Sequence, residues 1–114
     1  MVTCKTSVRF KRFTPAMMTL LNALYAADVG KVEGQPVNLV ITSGNDSQHG
    51  ARSRHYADEA LDVRSKSFAD EQAKKVFRDN VAAQLGPKFT VLYEGRGTAN
   101  EHFHLQPKKG TVYP

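Results

Sequence analysis

The chain has a single cysteine, Cys4, which excludes an internal disulfide; with no activating neighbourhood in the sequence, its thiol is read as inert. No apolar run is long enough to cross a bilayer, because the most apolar region, residues 16–29, is interrupted by Thr19, Asn22 and Asp28. The opening residues MVTCKTSVRFKRF contain no apolar stretch of secretory length. The expectation is therefore a protein made in the cytoplasm without a signal peptide, which meets any extracellular substrate only after release. Internal repeats, low-complexity tracts and long linkers are also missing. A chain of 114 residues without them is expected to form one domain, 1–114, around a single two-layer core.

Charge is present in quantity and is unbalanced. The residues are 40% hydrophobic and 24% charged, which suits a folded globular domain, and the formal net charge of +5 gives a pI near 9.5. Such a balance favours an anionic partner: nucleic acid, an acidic membrane surface or a polyanionic cell wall. Lys5, Arg9, Lys11, Arg12, Lys108 and Lys109 gather near the chain ends, but they form no nucleic-acid-binding motif and read first as a solvated surface.

Periodicity predicts the element order strand, helix, two strands, helix, two strands. Ser7–Phe13 alternates loosely and is expected to be an edge strand. Thr14-Pro15 supplies an N-cap and a first-turn proline for a helix over Pro15–Val29, with Met17, Leu20, Leu21, Leu24 and Tyr25 as its core stripe. Val37–Thr42 is a β-branched run, followed by a long irregular polar stretch, Ser43–Arg54, of the kind that often carries function. Ala60–Arg64 reads as another strand. Ser67 is expected to cap a second helix with Asp70 at its N3 position, burying Phe68, Ala73, Val76, Phe77, Val81 and Leu85 before Gly86-Pro87 stops it. Phe89–Tyr93 and His102–Leu105 complete the set. The predicted fold class is α+β, a mostly antiparallel sheet packed with two helices.

The chain has four histidines, His49, His55, His102 and His104, and none falls on a predicted helix. Asp46, Asp58, Glu59, Asp62, Glu94 and Glu101 stand at short intervals beside them. Two imidazoles and one carboxylate on a zinc ion leave an open position for water, the arrangement of catalytic zinc sites. In His102-Phe103-His104 both imidazoles share one face of an extended strand, with Phe103 turned to the other. Local spacing alone does not choose among these ligands.

The linear pattern does more. Ser53-Arg54-His55-Tyr56-Ala57-Asp58-Glu59-Ala60-Leu61-Asp62 reads S-x-H-x-x-x-x-A-x-D, and Glu101-His102-Phe103-His104 follows as E-x-x-H. From about Val37 to Pro107 this resembles the zinc peptidases that include the D-alanyl-D-alanine carboxypeptidases and dipeptidases and the phage L-alanoyl-D-glutamate endolysins. Their zinc geometry is shared by the hedgehog signalling domain. The resemblance implies a hedgehog-like or D-Ala-D-Ala-peptidase-like fold, with His55, Asp62 and His104 as zinc ligands and Glu101 as general base. His102 would orient substrate or stabilise charge. It further implies a hydrolase of peptidoglycan stem peptides, acting on the cell wall after release in a phage or bacterial setting, with the basic surface holding the wall; the chain is expected to be a monomer without specific nucleic-acid binding. Because residues 101 and 104 would point opposite ways on one strand, Glu101 is expected in the loop before it, turned inward.

Two departures stand out. The family's usual glycine is replaced by Asp58, a residue tolerant of left-handed backbone and a rival ligand to Asp62. The family's substrate-polarising arginine after Ser43-Gly44 is missing, leaving Arg52 or Arg54 as substitutes, with Asp46 and His49 as further candidates to line the cleft. Two other readings remain: a non-catalytic hedgehog-like zinc module, against which a glutamate at 101 argues, and a basic nucleic-acid binder with incidental histidines.

Overall fold

A computed structural model describes residues 2–10, 12–30, 39–44 and 60–108. Within them lie β1 (Val2–Cys4), α1 (Pro15–Gly30), β2 (Leu39–Ser43), β3 (Leu61–Arg64), α2 (Glu71–Leu85), β4 (Phe89–Glu94) and β5 (His102–Pro107). The strands form one open sheet in the order β1-β2-β3-β5-β4, with β1 parallel to β2 and every other neighbour antiparallel. The α+β architecture, with two helices and a mostly antiparallel sheet, is as expected.

Strand periodicity divides the sheet into two chemically different faces. Leu39, Ile41, Leu61, Val63, Phe103 and Leu105 are buried and pack with Met17, Leu20 and Leu24 of α1 and Phe77 and Val81 of α2. Phe103 lies at the centre of an aromatic group, 4.9 Å from Phe77, 5.0 Å from Tyr93 and 5.7 Å from Phe68 between ring centroids. Residues of the other parity, Asp62, Arg64, His102, His104 and Gln106, alternate onto the opposite face. The helices thus fix the sheet from one side, and the chemistry-bearing residues of β3 and β5 look out from the other.

Three local expectations are corrected. The first strand is Val2–Cys4 and not Ser7–Phe13, because a turn at Thr6-Ser7 breaks the ladder after Lys5 N–H donates to Ile41 O at 2.8 Å. Val8 still enters the core, and Phe10 packs beside it, stacked on Phe13 at 5.4 Å. Tyr25, placed on the α1 core stripe, is 66% exposed: it follows Leu24 and lies about 100° further round the helix, so burying the one turns the other outward. On α1 the Thr14 hydroxyl does accept from Met17 N–H, at 3.2 Å, as an N-cap should. On α2 the cap is Asp70 itself, whose carboxylate accepts from Ala73 N–H at 2.8 Å. The helix begins three residues later than Ser67 predicts, and Phe68 reaches the core from the preceding turn.

Candidate metal centre

Asp62 and His104 are direct partners in the β3–β5 register. Their side chains meet on the open face, where His104 Nδ1 donates to Asp62 Oδ1 at 2.8 Å. The other ring nitrogen, Nε2, lies within hydrogen-bond distance of the Gln106 side-chain amide, 2.7 Å from Oε1; Gln106 lies two residues on and therefore on the same face. Burial disfavours charge on this imidazole, yet its pKa is raised. The hydrogen bonds to Asp62 and Gln106 and the charges of Asp62 and Glu94 outweigh the desolvation.

His102 stands opposite Arg64 on one side and Glu94 on the other. Its Nδ1 donates to the Asn100 carbonyl at 2.7 Å, which turns Nε2 toward the carboxylates of the open face. That atom is 3.4 Å from Glu94 Oε1 and 3.9 Å from Asp62 Oδ1. Glu94 Oε1 is also 4.0 Å from His104 Nδ1. Two imidazoles and two carboxylates therefore converge on one patch of the open face.

The hairpin between β4 and β5 sets this geometry. Gly95 adopts φ +64°, and a Cβ there would lie 2.6 Å from the Asn100 carbonyl oxygen, so only glycine lets the two arms close. The closure is pinned by Thr98, whose N–H and hydroxyl both donate to Gly95 O, at 2.9 and 2.6 Å. Asn100 O is thereby placed to accept from His102.

Glu101 is placed differently. It precedes β5, as expected, but its carboxylate turns to the helix side of the sheet. Ser65 Oγ donates to Oε1 at 2.6 Å, Lys74 Nζ of α2 to the same oxygen at 2.7 Å, and Gly97 N–H to Oε2 at 2.9 Å. Its side chain is only 8% exposed. The Gly97 N–H, then Lys74 and Ser65, hold the carboxyl well below the usual carboxylate range, and Glu101 in turn lifts the Lys74 ammonium above its ordinary value. The structure does not bring Glu101 to the face that carries Asp62 and His104.

Of the expected site residues, Asp62, His104 and His102 are brought together. His55, His49, Arg52 and Arg54, with Asp46 and Asp58, lie outside the described residues. Among the described residues no group of three or more His, Cys, Asp or Glu side chains is arranged to hold a metal ion. The Asp62–His104 pair nevertheless suits zinc as two of its ligands. Bonds of about 2.0–2.1 Å to a tetrahedral ion put neighbouring ligand atoms roughly 3.3 Å apart, so a few tenths of an ångström of opening from 2.8 Å accommodates the ion. With Nδ1 on the metal, Nε2–H keeps its acceptor in Gln106, the outer hydrogen bond that metal-bound histidines characteristically make.

Glu94, Gln106 and Arg64 were not selected from sequence. Period-2 spacing from His104 and Asp62 was the available signal for Gln106 and exposed Arg64; the signal for Glu94 was its position just before the glycine-rich turn that leads back to His102. Comparison with known proteins returned no matching family model, curated protein or solved structure.

Proposed function

We propose that this chain is a zinc-dependent peptidase that cleaves a peptide bond in peptidoglycan stem peptides, of endolysin or D,D-carboxypeptidase type, on a hedgehog-like fold. The observation that carries the reading is the Asp62–His104 pair. Residues from two separated motifs, matched in order to a zinc-peptidase pattern, face each other at 2.8 Å with Gln106 supporting the second histidine. His55 would complete the ligand set. Bound zinc would polarise the scissile carbonyl and acidify water. Arg64 and His102, on the same face, would meet the carboxylate or carbonyl groups of an acidic peptide, and the net charge of +5 would favour an anionic wall.

A second reading, a non-catalytic zinc module, is favoured by one observation: the glutamate of the E-x-x-H pattern is tied to Lys74 and Ser65 on the far face. Metal analysis of the purified protein, then mass spectrometry of muropeptides incubated with it, separates the two. Stoichiometric zinc with a new muropeptide terminus is expected. Zinc with no cleavage would favour the module, and absence of zinc binding together with salt-sensitive binding to DNA or RNA would overturn both.

A further inference from the structure

Resting on that reading, we infer that Glu94, and not Glu101, is the carboxylate that moves the proton at this site, while Glu101 anchors the hairpin. The last residue of β4, Glu94 pairs in register with His102 and shares the face of Asp62 and His104. Its Oε1 lies 4.0 Å from His104 Nδ1. That exceeds the roughly 3.3 Å between two ligands of one tetrahedral zinc, yet leaves the oxygen within reach of a water held beside the pair. His102, its partner in register, lies beside it, with Nε2 3.4 Å from the same oxygen. With 47% of its side chain exposed, Glu94 also faces the solvent side from which a peptide would arrive.

Glu101 lacks each of these properties. Both of its oxygens already accept hydrogen bonds, from Ser65, Lys74 and Gly97, and reaching the metal pair would require abandoning all three and passing to the other face. A carboxylate made so weakly basic is also a poor proton acceptor. Glu94 instead takes one proton from water as the water oxygen bonds to the scissile carbonyl carbon. It returns that proton to the amide nitrogen as the C–N bond breaks, leaving a carboxylic acid and an amine.

The test uses the full chain, loaded with zinc, as wild type, Glu94→Gln and Glu101→Gln. Zinc affinity is read by competition with a chromophoric chelator. Hydrolysis is read on 4-nitrophenyl acetate, which reports on activated water whatever the natural peptide, and on muropeptides. Glu94→Gln is expected to keep zinc affinity within about threefold and the thermal midpoint unchanged, and to lose both hydrolyses by about 10²–10⁴-fold. Glu101→Gln is expected to melt at lower temperature while its folded fraction keeps ester hydrolysis. Being exposed on a strand end, Glu94 decides the matter even if Glu101→Gln does not fold. Retained ester hydrolysis in Glu94→Gln overturns the inference, as does loss of its zinc, which would make it a ligand. Absence of ester hydrolysis in zinc-loaded wild type overturns it too. Glu94-dependent ester hydrolysis without muropeptide cleavage supports Glu94 and overturns only the peptidoglycan reading.

Discussion

The ammonium of Lys74 on α2 sits 2.7 Å from the carboxylate of Glu101 at the mouth of β5. This contact ties the helix layer to the end of the β4–β5 hairpin, on the side of the sheet away from Asp62 and His104. It holds the glutamate of the E-x-x-H pattern on the helix side of the sheet, and it gives the protein a particular dependence on acid.

Glu101 has a folded-state pKa below its unfolded value of about 4.3. Its contribution to stability is therefore fully present above about pH 4.3 and is lost as pH falls through the lower folded value. Lys74 has a raised pKa, so its contribution is present below about pH 10.4 and fades only in stronger base. Thermal melts of metal-free wild type and Glu101→Gln should differ most at neutral pH and converge on acidification below about pH 4. A gap that widens in acid would contradict the assigned role of this pair.

For the proposed zinc site, Gln106 offers a test of which His104 nitrogen would face the metal. Gln106→Ala removes the acceptor of Nε2–H without touching Asp62, and zinc affinity is expected to fall about 10–100-fold with little change in the melting temperature of the metal-free protein. Unchanged zinc affinity, measured by chelator competition, would mean that Nδ1 is not the donor.

Gly95 and Gly86 make a controlled pair for the hairpin. Both have positive φ, but a Cβ at Gly86 meets nothing within 4 Å, whereas one at Gly95 meets the Asn100 carbonyl at 2.6 Å. Gly86→Ala should cost only the backbone strain, about 1 kcal/mol, and Gly95→Ala more, on the order of 2–3 kcal/mol, because the hairpin must also open. Urea unfolding of the two variants gives the comparison. Equal losses would show that the close approach to Asn100 is not stabilising.

Much of the architecture was legible in the residues. Alternation in His102-Phe103-His104-Leu105 announced a strand with a core face and a chemical face, and Phe103 and Leu105 are fully buried. Thr14-Pro15 and Gly86-Pro87 announced a helix start and a helix stop. Errors came where a local signal competed with packing. Val8 and Phe10 alternate like a strand but are satisfied by core contacts of an irregular chain. Ser67 and Asp70 are both good caps; it is Asp70 that takes the Ala73 N–H, while Phe68 enters the core from the turn before the helix.

The pairing of Asp62 with His104 lies between these cases. Each residue could be suspected from its motif, but the 2.8 Å contact depends on register, which a shift of one residue would reverse. By itself the order of residues determined which positions alternate, where helices are capped and which side chains are able to bind a metal or carry a proton, because those are properties of short stretches of chain. Tertiary structure alone decided which carboxylate stands beside the histidines. Glu101 precedes the strand and was free to turn either way; Lys74, Ser65 and the Gly97 N–H hold it on the helix side, while antiparallel register brings Glu94 to the other. The donors that made that choice come from a helix, a turn and a hairpin that meet only in the folded chain.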